Sequence, residues 1–531
     1  MSSFKEIEIQ IQEVESKTEF RRLLQSLRVM SSNSKNKTVI NLIDKALKKS
    51  ILINDEESRI ILLGLKIAQI YHLEENRKLS FELLNEMKHY SETSKDKNGL
   101  AFTLMFEWLL ERRIGNDKKS SKAIQNAVSI IETGTVHDEY IRNMCYYSLA
   151  VEKWFGDHDP SSADIFEKCA NYFWENGFYR SYIQTLSLLV SIYTRLQNGQ
   201  KILESCKKIF GNRSFFEKLP LDLRALSYYY VGLGYMIDLN LRLAEKYFEE
   251  AFNIFKNVYR ESIYFGYYLV MHSFITTVKA LQGKMEQTRG MIIEAEKLLQ
   301  EELFSINLDA ATKKQIHHTL NLNKFYVYSR LKGFNPEKMS DLIIEIYNGS
   351  KTLYSDFMLL SEFILNSNLD TSKLRQLLKT DNYSINRVKH LILFDLTDKN
   401  KGRISERRLN KRIEVVTERT RTSKTAFIED VLADLLIAQQ LHSLKRYSEL
   451  STLLRKYEGK LDQIQVLELR LFMEAFIQIG VYRNGNPLGL VFHYTAIRKC
   501  NSYGFTRLET RLSEYLEMQK REAMPWLRGK Y

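Results

Sequence analysis

Proline and glycine are scarce in this chain, which has only 5 prolines and 22 glycines among 531 residues. Because both residues weaken helix interiors, their scarcity predicts long helices that run without interruption. Hydrophobic residues make up 44% of the chain and aromatic residues 12%, a composition that excludes a disordered protein. The length allows several compact domains or one extended solenoid.

Cysteine is also rare. Cys145, Cys169, Cys206 and Cys500 stand singly, and no C-x-x-C pair occurs. This spacing favours neither a zinc site nor a disulfide framework. We therefore expect four buried thiols in a reducing compartment, with no metal or other cofactor.

Long apolar segments are missing as well. The first residues are charged and polar, unlike those of a signal peptide. The longest uncharged run, 262–278, is shorter than the roughly 20 residues that a membrane-spanning helix needs. We expect a cytoplasmic protein that does not cross a membrane.

What the chain does have is a pattern of small and bulky residues within 228–251. The residues that carry it are Gly232, Tyr235, Ala244, Phe248 and Ala251. The stretch resembles a tetratricopeptide repeat (TPR), a unit of two helices. In such a unit, small residues let the two helices approach and a bulky residue fills the gap between them. Lys256 stands where a TPR often has a proline.

Similar pairs, a small residue followed by a bulky one, recur along the chain. Their first members lie at positions 68, 108, 150, 190, 232 and 276, which are 40 to 44 residues apart. A sustained period of this kind is typical of a solenoid. The predicted fold class is therefore all-α, a right-handed α-solenoid of TPR-like helical hairpins. Because the period exceeds the usual length of about 34 residues, the helices or loops should be longer than in an ordinary TPR.

Five segments follow from this pattern. N-terminal capping helices over 1–50 precede about six TPR-like repeats over 51–300, and an irregular helical-hairpin region follows over 301–397. A basic linker or helix over 398–425 leads to C-terminal helical hairpins and a cap over 426–531.

The resemblance to TPR proteins implies that first-helix residues near each small anchor line a concave, partner-binding face. Apolar and aromatic side chains beside arginines suit a peptide or a protein segment, since a guanidinium can hold a carboxylate. The alternative is that a tightly wound superhelix buries many of these side chains. The predicted binding residues are Arg112, Arg113, Tyr147, Trp154, Gln184, Ser187, Ser191, Arg195 and Tyr229.

The segment 399–424 stands out by its charge, with ten lysines and arginines against three glutamates. One interpretation is a patch that binds nucleic acid or an acidic protein. The other is a solvated linker helix, and the segment lacks aromatic residues that could stack on bases. The candidate contact residues for nucleic acid or an acidic partner are Arg407, Arg408, Lys411 and Arg412.

Catalytic and nucleotide-binding motifs are absent from the sequence. It contains no G-x-x-x-x-G-K-[ST] and no H-E-x-x-H, and the pair Gly232 and Gly234 lies inside a predicted helix without a preceding strand. We expect a non-enzymatic protein.

The long repeat period resembles that of helical-hairpin sensor domains in bacterial regulators, including the peptide-responsive Rap and arbitrium-receptor group. This resemblance implies a regulatory or adaptor protein that binds a peptide or a protein segment. DNA-binding members of the group carry an N-terminal helix-turn-helix, which the first 50 residues do not show. The alternative function is a nucleic-acid-associated regulator that acts through 399–424, and a second copy of the chain is a further candidate partner.

Overall fold

The computed structural model describes residues 4–34, 37–73, 77–157, 159–196, 198–258, 262–300, 310–330 and 427–528. Within these ranges all regular secondary structure is helical, and no strand occurs. The chain divides into two compact units, Met1–Ile192 and Tyr193–Tyr531. Each unit is described by itself.

Unit 1 is a run of helices that pack on their neighbours in sequence. Glycines with positive φ turn the chain after three of them, at Gly115, Gly134 and Gly177. The helices are α1 (Phe4–Glu13), α2 (Lys17–Asn33), α3 (Lys37–Leu52), α4 (Glu56–Leu73), α5 (Arg77–Ser94), α6 (Lys97–Arg113), α7 (Asp117–Glu132), α8 (Glu139–Asp157), α9 (Ser162–Glu175) and α10 (Tyr179–Arg195), the last of which crosses the boundary of the unit.

Unit 2 repeats this pattern and adds a C-terminal group of helices. Its first part holds α11 (Gly199–Phe210), α12 (Arg213–Lys218), α13 (Leu221–Ile237), α14 (Leu241–Val258), α15 (Ser262–Leu281), α16 (Met285–Gln300) and α17 (Ala310–Arg330). The C-terminal group holds α18 (Phe427–Ser443), α19 (Tyr447–Leu454), α20 (Leu467–Arg483), α21 (Leu488–Ser502) and α22 (Thr506–Arg528), with short 3-10 turns between α19 and α20.

The hairpin of α13 and α14 shows the predicted contact between a small and a bulky residue. A Cβ atom on Gly232 would lie 2.5 Å from Phe248 Cδ1, so the ring occupies the space that a side chain would need. Along α14, the buried residues recur every three or four positions and form one stripe of the helix: Leu241, Ala244, Phe248, Ala251 and Phe255. Tyr235 stacks on Tyr247 of the same hairpin.

The spacing of the hairpins matches the period in the sequence. Their first helices begin at residues 56, 97, 139, 179, 221 and 262, so each repeat takes about 41 residues. The bulky partner of each pair is buried, and its relative exposure is 1% or less at Leu84, Ile124, Phe166, Cys206 and Ile292. Together with the helix-on-helix packing, this confirms the all-α solenoid.

Helices also form at both ends of the described chain. Residues 4–50 hold α1, α2 and the larger part of α3. The C-terminal stretch is divided between α21 and α22. Gly504, with φ of 76°, makes the turn between them, because only glycine adopts this conformation at little cost.

All four cysteines are buried and none forms a disulfide, as expected. Burial raises the pKa of each thiol, that of Cys206 to about 12. No helix in the described part of the chain is long and apolar enough to cross a membrane, and this includes α15, which contains the uncharged run 262–278.

Candidate functional site

Unit 1 contains a cavity of about 540 Å³ that is partly open to solvent. The first helices of four successive hairpins, α4, α6, α8 and α10, supply most of its lining. On α8, for example, the lining residues Tyr140, Met144, Tyr147 and Val151 recur every three or four positions and so share one face of the helix. The cavity therefore lies along the faces that the repeat arranges side by side.

Most of the lining is apolar or aromatic. Residues of this kind are Leu65, Tyr71, Met105, Phe106, Trp108, Leu109, Tyr140, Met144, Tyr147, Val151 and Leu188. The Tyr147 ring packs edge-on against Phe166 at 5.6 Å, which fixes its position in the wall. Burial raises the pKa of Tyr147, so its hydroxyl stays neutral at physiological pH.

Two arginines at the end of α6 provide the charge. Among the described residues that line the cavity, Arg112 and Arg113 are the ionised ones, and both are positive. Arg113 donates a hydrogen bond to the Tyr71 carbonyl oxygen at 3.1 Å, and its guanidinium lies 4.2 Å from the centre of the Tyr71 ring. A positive, partly aromatic rim of this kind favours an anionic group on the ligand.

Arg112 has an acidic partner within unit 1. Its Nη1 donates to Glu152 Oε2 at 2.5 Å, and Trp108 Nε1 donates to the same oxygen at 3.0 Å. Ser121 Oγ donates to the other oxygen of Glu152. Burial alone would raise the pKa of Glu152, but these hydrogen bonds and the charge of Arg112 outweigh it and hold the pKa below its usual value. Glu152 therefore stays ionised and balances the charge of Arg112.

A polar side of the cavity comes from α10. Gln184 is exposed, and Ser187 Oγ donates to the Gln184 carbonyl oxygen at 2.7 Å. Gln184 and Ser187 are three residues apart on a helix and face the same way. A primary amide can donate to and accept from a peptide group, so this side suits a ligand backbone.

The remaining wall is the C-terminal end of α2, which contributes Ser31 and Ser32. Gln69 Nε2 on α4 donates to the Ser31 carbonyl oxygen at 2.7 Å. Ser32 Oγ lies at hydrogen-bond distance, 2.8 Å, from Ser181 Oγ on α10. This end of α2 therefore bridges the first and the fourth of the helices that form the site.

The structure brings five of the predicted binding residues together at this cavity: Arg112, Arg113, Tyr147, Gln184 and Ser187. It places others elsewhere. Trp154 is buried, with 4% exposure, and Ser191 is exposed, but neither belongs to the lining. Tyr229 lies in unit 2, where its ring packs against those of Phe248 and Phe274.

Two other predicted groups lie outside the described residues. The side chain of Arg195 is one of them, although its backbone ends α10. The whole basic segment 399–424 is the other, with its candidate contact residues Arg407, Arg408, Lys411 and Arg412.

Sequence reasoning missed several lining residues. Ser31 and Ser32 belong to a segment that reads as a cap, and nothing in its sequence shows that it reaches α10. Trp108 occupies an anchor position of the repeat pattern, yet it lines the cavity, as does Tyr71. Tyr147, Ser187 and Tyr229 lie three residues before the anchor positions 150, 190 and 232, and the same offset from position 68 would have found Leu65 but not Tyr71.

No group of three or more histidine, cysteine, aspartate or glutamate side chains in the described ranges could hold a metal ion. No protein-family model matches this chain, and no curated protein matches it.

Proposed function

We propose that the chain is a non-enzymatic regulatory or adaptor protein that binds a peptide or protein segment in the cavity of unit 1. The observation that supports this most is the lining itself. Four successive first helices present aromatic and aliphatic side chains, two arginines and an exposed amide to one space. Its volume of about 540 Å³ lies within the usual range for ligand sites, about 300 to 1,000 Å³.

The partner segment should carry an apolar or aromatic side chain beside a carboxylate. The apolar group would displace water from Trp108, Leu109 and Met144, and the burial of apolar surface would favour binding. The carboxylate would approach Arg113 and share Arg112 with Glu152. Gln184 would hold the backbone of the segment.

Peptides selected from a random display library on the full chain provide ligands for a test. Calorimetry then compares the wild type with Arg113→Ala and Gln184→Ala. We expect the affinity to fall about tenfold or more for Arg113→Ala and about threefold for Gln184→Ala, because hydrogen bonds to a charged group contribute more than neutral ones.

Arg21→Ala is the control, since Arg21 pairs with Asp55 and Glu57 in the same unit and does not line the cavity. The proposal predicts unchanged affinity for it. Selection that returns no peptide, or peptides that bind all four proteins equally, would contradict the proposal.

The repeat class and the compartment belong to the same proposal. We infer that the hairpins are of TPR type, which the contact of Gly232 with Phe248 and the period of about 41 residues support. The similarity to peptide-responsive bacterial regulators is consistent with a ligand of peptide size. Four buried thiols without a disulfide support a reducing compartment such as the cytoplasm.

The second candidate function is nucleic-acid binding through 399–424, which the local excess of seven positive charges favours. Reversal of Arg407, Arg408, Lys411 and Arg412 to glutamate should then abolish a mobility shift with nucleic acid at low salt. A wild-type chain that shows no shift under those conditions would remove this candidate.

A further inference from the structure

The helix α2 is held in two different ways along its length. Its first half is anchored by apolar side chains, because Phe20, Leu23 and Leu24 have relative exposures of 0%, 7% and 3%. Its last turns, residues 28–34, make their contacts with α4, α8 and α10 mainly through polar groups. This change in chemistry occurs where α2 reaches the cavity.

The polar contacts of residues 28–34 are specific and numerous. Arg28 Nη2 lies 2.6 Å from Asp138 Oδ2 at the start of α8, and its guanidinium lies 5.2 Å from the centre of the Tyr140 ring. Asn33 Nδ2 donates to the Gly177 carbonyl oxygen at 2.7 Å, and Asn33 Oδ1 accepts from the Arg180 backbone N–H at 3.1 Å. These bonds tie the end of α2 to two of the helices that form the cavity.

Polar contacts of this kind are easily exchanged for water. The net contribution of a hydrogen bond to stability is small, since each group bonds to water when it is released. A buried apolar side chain has no such replacement in water, so the first half of α2 is held more firmly than its end. Local opening should therefore begin at residues 28–34 and leave the first half in place.

We propose that residues 28–34 of α2 form a gate to the cavity of unit 1. In the closed state Ser31 and Ser32 are part of its wall, and release of the contacts to Gln69, Asp138, Gly177 and Ser181 opens it. The apolar first half of α2 keeps the gate attached, so it can close again over a ligand. Because the gate would control access to the site of the proposed function, its regulatory role rests on that proposal. Its test needs no ligand.

A reporter thiol in the cavity wall measures the opening. Ser148 lines the cavity, has 1% exposure and donates a hydrogen bond to the Met144 carbonyl oxygen. Ser148→Cys is nearly isosteric, and N-ethylmaleimide should reach the new thiol only when the cavity opens. Peptide mass spectrometry follows the reaction at each cysteine separately in the full chain.

The gate predicts that Arg28→Ala and Asn33→Ala, each in the Ser148→Cys background, speed labelling of the reporter at least tenfold. Arg21→Ala is the matched control, because it removes ion pairs of the same helix at its anchored end, and it should change the rate less than twofold. The native Cys145 and Cys169 are buried in unit 1 and do not line the cavity, so they should stay unlabelled.

A disulfide between α2 and α10 should have the opposite effect and hold the gate closed. Because Ser32 Oγ and Ser181 Oγ are 2.8 Å apart, Ser32→Cys with Ser181→Cys should bring two sulfurs within bonding reach. In the Ser148→Cys background, oxidation should slow reporter labelling at least tenfold, and reduction should restore it.

Three results would overturn the gate. They are an unchanged reporter rate in Arg28→Ala and Asn33→Ala, equal acceleration at Cys145 and Cys169, and failure of the disulfide to form. If Arg28→Ala does not fold, Asn33→Ala and the disulfide decide alone. A peptide that fails to bind does not alter these rates, so the gate and the proposed function can fail separately.

Discussion

At the scale of single residues, the Phe248 ring occupies the space that a side chain at position 232 would need, so Gly232 lets α13 and α14 pack closely. The pairing of Gly232 with Phe248 could be predicted because both residues belong to one local motif. Glu152, the partner of Arg112, could not be predicted. It also accepts from Trp108 and Ser121, and these residues come from three helices that no local spacing links. Arginine positions were therefore predictable, but their intramolecular partners were not.

Gly232 gives a direct test of the hairpin contact. In Gly232→Ala the new Cβ would lie 2.5 Å from Phe248 Cδ1, and we expect the free energy of unfolding to fall by about 1 to 3 kcal/mol. Gly290→Ala in α16 is the matched control, because its Cβ would meet nothing within 4 Å, and it should gain up to about 1 kcal/mol. Urea denaturation followed by circular dichroism measures both. A gain in both variants would contradict the predicted contact.

Glu245 predicts a pH dependence in unit 2. Burial alone would raise its pKa, but hydrogen bonds from Lys279, Lys284 and Gln282 outweigh it and lower the pKa to about 2. Its unfolded pKa is about 4.3, so the stabilisation is fully present above that pH and is lost as the pH falls toward 2. We expect a loss of about 2 kcal/mol over this window.

Glu245→Gln should remove that part of the pH dependence and lower the stability at neutral pH. Urea denaturation at pH 7, 5 and 3 compares the two proteins. Parallel curves for the wild type and Glu245→Gln would show that the carboxylate is not stabilised in the folded state.

At the scale of elements, the sequence predicted the repeat helices but not the contacts that the N-terminal helices make. The first helices of six hairpins follow the period of the anchors because one local motif specifies each pair. The path of α2 could not be predicted, since its contacts with residues 138 and 181 join positions 110 and 149 residues apart. An amphipathic segment has the same pattern whether it covers the end of a solenoid or crosses its groove.

The start of α6 depends on a helix cap that a substitution can test. Asp96 accepts hydrogen bonds from the backbone N–H groups of Asn98 and Gly99, at 2.9 and 2.8 Å. Asp96→Ala should lower the free energy of unfolding by about 1 kcal/mol, whereas Asp96→Asn keeps a capping oxygen and should cost much less. Thermal unfolding of the three proteins measures the difference. Equal melting temperatures for Ala and Asn would contradict the role of the cap.

At the scale of the whole molecule, composition and period were enough to predict an all-α solenoid. They did not reveal how the C-terminal helices meet the repeats of unit 2. Gln465 accepts from the Arg242 backbone N–H at 2.7 Å, and Arg330 and Glu468 form a fully buried ion pair at 3.1 Å. Contacts between residues so far apart in the sequence form only in the folded chain, and no local sequence pattern predicts them. The same holds for the cavity of unit 1, whose walls come from five helices.

The central claim is that the cavity of unit 1 is the place where a partner segment binds. Methyl NMR on the full chain with labelled methionines tests it most directly, because Met105 and Met144 line the cavity while Met473 is buried in unit 2. On titration with a selected peptide, the account predicts that the methyl signals of Met105 and Met144 shift and that of Met473 does not. Binding that leaves both cavity methionines unshifted would contradict it.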